Sequence, residues 1–174
     1  MNRLQLEQCI REYGREIYSF CCHLTGNVQE AEELYQDTFL KAVELMKNID
    51  YENNPKSFLI SIALRLWKNK KRKYAWRMRI AGTESLIEET VENLEAEKCL
   101  EEEMIQKEIQ RQVRKAVAGL EEKYRIPVYL FYTVQMSVAE ISKTLKIPEG
   151  TVKTRLYKAR KLLKEKLEVV LDET

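Results

Sequence analysis

The sequence predicts an all-α protein, with two small helical domains joined by an acidic, flexible linker and a helix-turn-helix in the second domain. Three observations carry this. Apolar residues recur at three- and four-residue steps through most of the chain, the spacing of a buried helix face. Charge comes in blocks: RLWKNKKRKYAWRMR at 65–79 contains no acid, AGTESLIEETVENLEAEKCLEEEM at 81–104 is rich in Glu with Lys98 as its one Lys, and basic residues return from Lys143 to Lys166. Finally, SVAEISKTLKIPEGTVKTRLYKARKLLKEK reads as a short helix, a tight turn and a long basic helix.

The composition fits that division. A chain of 174 residues, 44% hydrophobic and 33% charged, can bury one ordinary core or two modest ones. The formal net charge of +2 is a cancellation between basic module ends and an acidic middle, so its distribution is the informative quantity. The blocks divide the chain at 1–80, 81–106 and 107–174, with Gly82-Thr83 as the break into the linker. No apolar run approaches the roughly 18 residues of a membrane span. The N-terminal MNRLQLEQCIREYGREIYSF carries charges throughout, unlike a signal peptide. The expectation is a cytoplasmic protein with no direct membrane insertion. Cys9, Cys21, Cys22 and Cys99 have no framework spacing, which predicts reduced thiols and no structural disulfide.

In chain order, Ile10, Tyr13, Ile17, Phe20, Cys21 and Leu24 form the face of a first helix that stops at Gly26-Asn27. Ala31, Leu34, Tyr35, Thr38, Ala42 and Leu45 form the face of a second, with Phe39 and Val43 beside it. DYENNPK, 50–56, reads as a loop because Asn53-Asn54-Pro55 disfavours helix, and Ser57 is a candidate cap for a third helix buried through Leu59, Ile62, Ala63 and Leu66. The basic run occupies the C-terminal half of that helix, where cations suit the helix dipole. In the second module Ile109, Val113, Ala116, Val117 and Leu120 mark one helix, and Pro127 fits the first turn of another, IPVYLFYTVQ.

The helix-turn-helix follows. Ser137-Val138-Ala139-Glu140 is a capping box, in which Ser caps the first turn and Glu reaches back to the Ser amide. Pro148 and Gly150 hold the turn, and Thr151 or its neighbours begin the long helix. Ala139, Ile141, Leu145, Ile147, Val152 and Leu156 are small or apolar where the two helices must meet. In such a motif the second helix enters the major groove with its N-terminal residues at the base edges. A bare run of Lys and Arg is commonly a solvated face; box, turn and core spacing together decide for DNA contact.

At these residues a resemblance appears. GLEEKYRIPVYLFYTVQMSVAEISKTLKIPEGTVKTRLYKARKLL resembles the C-terminal domain of the sigma-70 family, above all the two-domain extracytoplasmic-function (group IV) sigma factors, whose signature runs close to PxGTVKSRLxRAR. GNVQEAEELYQDTFLKAVE resembles the helix by which sigma factors grip the clamp helices of RNA polymerase, and NPKSFLISIALRLWKNKKRK the helix that reads the promoter's minus-ten element. The resemblance covers nearly the whole chain in order.

It implies a protein that binds core RNA polymerase, through the clamp helices of the largest subunit, and directs promoter-specific initiation under the control of an anti-sigma factor. Gln36, Asp37, Phe39 and Leu40 would form the polymerase contact, with Asp37 and Phe39 as anchors. On periodicity alone Phe39 fits the core face equally well. Asn53, Asn54, Lys56, Ser57, Arg65, Asn69 and Arg72 would meet the melted minus-ten strand. Trp67, Tyr74 and Trp76 lie in the basic run and suit either base stacking or a core. For the minus-35 element, Thr154 and Lys158 would reach base edges with Tyr157 alongside, while Thr151, Lys153, Arg155 and Arg160 flank them, Lys153, Arg155 and Arg160 on phosphates. The family usually has Trp at Phe58, Asn at Arg65 and Asp at Asn69, departures that bear on the preferred minus-ten sequence rather than on the role. A Gly is common where this chain has Lys146, and a Lys in a left-handed cap costs roughly 1 kcal/mol relative to Gly. Two promoter elements about 20 base pairs apart lie near 70 Å, a span that an extended linker of about 24 residues could cover.

Other chemistry is disfavoured. His23 stands beside Cys21 and Cys22, but adjacent helical residues diverge by about 100° and a fourth ligand is missing, so no metal is expected. No phosphate-binding Gly loop or nucleophile elbow is present, and no cofactor or enzymatic activity is expected. Two rivals remain: a conventional dimeric helix-turn-helix regulator that binds a palindrome without polymerase, and a helical interaction protein whose basic faces dock acidic partners.

Overall fold

A computed structural model describes residues 1–48, 54–80 and 101–172, and every described element is helical. The chain forms two compact units, Met1–Thr90 and Val91–Thr174. The first contains α1 (Arg3–Thr25), α2 (Val28–Glu44) and α3 (Pro55–Ile80). Each start has a side-chain cap. Asn2 and Gln5 exchange a capping box at α1, with Gln5 N to Asn2 Oδ1 at 2.9 Å and Asn2 N to Gln5 Oε1 at 2.8 Å. Gly26, at φ 69°, ends α1 in the left-handed conformation that glycine tolerates best, and Asn27 then caps α2 through Glu30 N at 3.1 Å.

All three helices pack on one another around Ile17, Phe20, Leu59 and Ile60, none of which reaches solvent. Gly14 permits the close approach of α1 to α2: a Cβ there would lie 2.9 Å from Tyr35 Oη. The Tyr35 ring is in turn held edge-on by Tyr18 and Phe39, with centroids at 5.6 and 4.9 Å. Two expectations are corrected. Ile10 is 38% exposed, because the buried stripe of α1 runs through Leu6 and Cys9 instead. The cap of α3 is Asn54, at φ 58°, whose Oδ1 accepts from Ser57 N at 2.9 Å; Ser57 supplies the capped N–H rather than the cap.

Cys9, Cys21 and Cys22 are buried free thiols, while Cys99 lies outside the described residues. Burial, with the neighbouring Cys22 adding to it, pushes the Cys21 thiol up to about 12. An unfolded thiol ionises near its ordinary value of 9.0, so the stabilising effect of neutral Cys21 is fully present below that pH and declines as pH rises toward 12. The native protein is expected to leave Cys21 unalkylated by iodoacetamide at neutral pH, with a thermal midpoint that falls above pH 9 less steeply in Cys21→Ala. Alkylation of Cys21 at the rate of a free thiol would contradict this.

The second unit contains α4 (Glu101–Ala118), α5 (Glu122–Val128), a π-helical turn (Tyr129–Thr133), α6 (Val138–Leu145) and α7 (Glu149–Asp172). Helix α4 begins inside the segment 81–106 read as linker; residues 81–100 of that segment lie outside the described residues. Helix α7 touches α4, α5 and α6. Its Lys166 Nζ donates to Gly119 O at 2.9 Å, and the buried Arg125 donates Nη1–H to Ala118 O at 2.8 Å, so two cations satisfy the carbonyl end of α4. Ile109 and Val113 are exposed, unlike Val117 and Leu120 on the same predicted face.

Pro127 is not in a first turn. Helix α5 starts five residues before it, and the missing Pro N–H removes an internal hydrogen bond. The backbone then widens: Val134 N reaches back to Tyr129 O at 3.1 Å, an i→i+5 closure.

Candidate nucleic-acid interface

The helix-turn-helix is built as its sequence specifies. Ser137 N donates to Glu140 Oε2 at 2.6 Å and Glu140 N to Ser137 Oγ at 3.3 Å, closing the capping box of α6. Helix α6 ends at Lys146 with φ 56° and ψ 46°. Ile147 N returns to Ser142 O at 3.1 Å and Ser142 Oγ donates to Ile147 O at 2.6 Å, which ties the turn to the helix before it. Pro148 O then accepts from Thr151 N and Val152 N at 2.9 and 3.1 Å, launching α7. Ile141, Val152 and Leu156 are buried at the junction and Leu145 and Ile147 half-buried. Ala139 is exposed, a correction to its reading as a junction residue.

The left-handed Lys146 gives a direct prediction. Lys146→Gly relieves a steric penalty that an L side chain meets in this region, and is expected to stabilise the second unit by about 1 kcal/mol. A calorimetric midpoint that failed to rise would contradict it.

The exposure of α7 follows its angular register. At about 100° per residue, Val152, Leu156 and Ala159 cluster on one line, and Thr154, Tyr157 and Lys158 point away from it. Lys153 and Arg160 share one flank; Thr151 and Arg155 share the other. Burial agrees: the first three are buried, Lys153, Thr154, Tyr157, Lys158 and Arg160 are exposed, and Thr151 and Arg155 are half-buried. A groove-inserted helix would present Thr154, Tyr157 and Lys158 to base edges and its flanks to the phosphate walls. Thr154 Oγ1 donates to Gly150 O at 2.9 Å, so that hydroxyl is set to accept from a base rather than donate to one.

A cleft of about 330 Å³ opens beside the start of α7, lined by Thr151, Thr154, Arg155 and Lys158 together with Lys123 and Tyr124 of α5. The last two were not singled out in the sequence, where KYRIP carries no periodic or motif signal. Lys123 Nζ lies 2.6 Å from Glu121 Oε2, and that hydrogen bond holds its ammonium above its usual value. Arg160 is also restrained, donating Nε–H to Tyr132 Oη at 2.8 Å.

In the first unit the sites predicted on α2 and α3 separate. Gln36, Asp37 and Leu40 are exposed on α2, Leu40 at 64%. Phe39 is buried, its ring edge on Tyr35, and belongs to the core face rather than to an exposed contact. Of the minus-ten set, Asn53 lies outside the described residues. Asn54 is engaged as the cap of α3, and Lys56 Nζ is bonded to Glu16 Oε2 at 2.7 Å above the Tyr13 ring. Ser57 Oγ is buried with no hydrogen-bond partner among the described residues. Arg65 and Arg72 are exposed and Asn69 half-buried, with Arg72 Nη2 3.4 Å from Asn69 Oδ1. The aromatics divide as well. Trp67 is core, capped by Lys71 Nζ at 5.2 Å, whereas Tyr74 and Trp76 are 50% and 64% exposed.

Among the described residues no cluster of His, Cys, Asp or Glu could hold a metal ion, and no helix is long and apolar enough to cross a membrane. An exposed basic helix seated by a capped helix-turn-helix defines a DNA-binding protein. Residues 9–77 match Sigma-70 region 2 and residues 110–163 match Sigma-70, region 4. The ECF RNA polymerase sigma factor SigW of Bacillus subtilis is 32% identical over 160 residues, covering 89% of this chain and 84% of the relative. The RNA polymerase sigma-H factor of Pseudomonas aeruginosa is 25% identical over 170 residues, 94% of this chain and 86% of its own length. Among solved structures, the sigma factor RpoE in complex with the anti-sigma factor NepR from Bartonella quintana superposes with a TM-score of 0.79 at 22% identity, over 94% of this chain and 96% of that one. The chain belongs to the sigma-70 family, among its ECF RNA polymerase sigma factors.

Proposed function

We propose that the two units divide promoter recognition between them. Helix α7 reads the minus-35 element, with Thr154, Tyr157 and Lys158 on bases and Thr151, Lys153, Arg155 and Arg160 along the groove walls. Helix α3 meets the minus-ten strand through Arg65, Asn69 and Arg72, with Tyr74 and Trp76 as exposed stacking surfaces. Asn54, Lys56 and Ser57 shape the loop end of that site from within the fold, as their internal bonds suggest. Gln36, Asp37 and Leu40 on α2 face the clamp helices of the largest polymerase subunit, and Phe39 supports them from beneath. As a sigma factor the chain is a specificity subunit and not itself an enzyme. We further propose an anti-sigma partner of the kind bound to the Bartonella RpoE, which would cover the exposed apolar residues of α2.

The observation that carries the reading is the register of α7, whose core line and exposed polar line lie on opposite sides of one helix. Its test is transcription in vitro with bacterial core polymerase, the purified chain and a genomic fragment library. Transcript starts that appear only with the chain and share two upstream motifs at fixed spacing are the expected result. Absence of stimulation, together with palindromic DNA bound without polymerase, would establish a conventional regulator instead.

A further inference from the structure

Arg160 is held by aromatic residues to which promoter recognition assigns no part. Its Nε–H is donated to Tyr132 Oη at 2.8 Å, and its guanidinium carbon lies 5.8 Å from the centroids of both the Phe131 and Tyr132 rings. Those rings meet edge-on with centroids 5.0 Å apart. Adjacent residues of a regular helix diverge by about 100°, which would aim consecutive rings at different neighbours. Phe131 and Tyr132 sit instead in the π turn that follows Pro127, where the wider i→i+5 closure brings consecutive side chains closer in angle and both rings to one cation.

We propose that Tyr132, with Phe131, is a positioning residue for DNA binding, holding the Arg160 guanidinium so that both of its Nη groups face a backbone phosphate. The inference rests on the reading of α7 as the minus-35 helix. An arginine has one donor on Nε and four on its Nη atoms, arranged as a planar fork that matches a phosphate. With Nε–H committed to Tyr132, the four Nη donors of the exposed Arg160 remain for a phosphate. An arginine already fixed in this way loses less rotamer freedom on meeting DNA than one waving in solvent. The hydroxyl and the two ring faces are therefore pre-organisation for a contact that Arg160 makes.

The test uses the full chain with core polymerase and a duplex promoter fragment recovered from the library transcription, titrated over a range of salt. Arg160→Ala is expected to weaken binding about tenfold on every promoter and to lower the slope of log K against log salt by about one. Tyr132→Ala is expected to weaken it about fivefold with a slope change of the same sign, and Tyr132→Phe, which keeps the ring, to recover part of that loss. In an Arg160→Ala background both Tyr132 changes are expected to be silent, the signature of a residue acting through another. Tyr132 is 53% exposed, so these variants are expected to melt as the parent does. A Tyr132→Ala loss that is absent, or equal with and without Arg160, overturns the positioning role while leaving the minus-35 reading intact. An Arg160→Ala change that alters neither affinity nor slope removes the phosphate contact and the inference with it.

Discussion

Phe20→Ala is expected to unfold the first unit and leave the second standing. Phe20 is wholly buried at the junction of α1 with the two helices it packs against. Truncating a buried Phe removes its transfer free energy and leaves a cavity, together about 3–5 kcal/mol. A small three-helix unit has a total stability near the low end of the usual range, about 5 kcal/mol, so the loss approaches the whole of it. At about 4–8 °C per kcal/mol, the midpoint of that unit should fall by more than 12 °C. Calorimetry should show one transition displaced and the other unmoved, with recruitment to core polymerase lost at temperatures where α7 still binds DNA weakly. Tyr157→Ala, at a site 69% exposed, is the control that should move neither transition. Two transitions falling together in Phe20→Ala would mean that the units unfold as one cooperative body.

What could be read in the sequence divides along a physical line. Caps and turns are local: the Ser137–Glu140 box and the Gly26 stop stand where the local sequence places them, and Lys146 takes the left-handed cap where the resemblance implies a Gly. Faces of long helices are readable to about one residue, so Ile10 fits the predicted stripe of α1 yet stands exposed, while the neighbouring Leu6 and Cys9 carry the burial. Contacts between elements are not readable in this way. Nothing in Lys56 announces its bond to Glu16, forty residues away along the chain, nor in Arg125 that its guanidinium closes the end of α4. The same limit governs Phe39. It stands on the boundary between the core stripe and the exposed face, and only the placement of Tyr35 decides that its ring turns inward. Polar residues of the loop before α3 read as free donors and acceptors, yet a helix start demands partners for its own N–H groups, and Asn54 answers that demand first. The exposed polar line of α7 is legible because it combines a local motif with a simple angular register and needs no long-range partner.

Lys158→Ala should change which promoters are used, whereas Lys153→Ala should change how well all of them are used. Both are exposed lysines on α7 five residues apart, so their charge and burial do not distinguish them. Their register does. Lys158 shares the line of Thr154 and Tyr157, opposite the buried Val152, Leu156 and Ala159, and on a helix seated in the major groove that line meets base edges. Lys153 lies about a quarter turn from the core line, on the flank with Arg160 and on the opposite side of the helix from Lys158, where the groove wall supplies phosphates. A base contact carries sequence information, so losing Lys158 should cost about 1–3 kcal/mol against the preferred base and little against others, flattening preference at one position. A phosphate contact carries none; losing Lys153 should weaken every promoter alike and reduce the salt slope by about one. Sequencing transcript starts from the library with each variant separates the two, since the first predicts one column of the minus-35 motif losing information and the second predicts an unchanged motif with fewer starts. If Lys158→Ala instead lowers all promoters uniformly and shifts the salt slope, Lys158 touches the backbone, and base readout on α7 must rest on Thr154 and Tyr157.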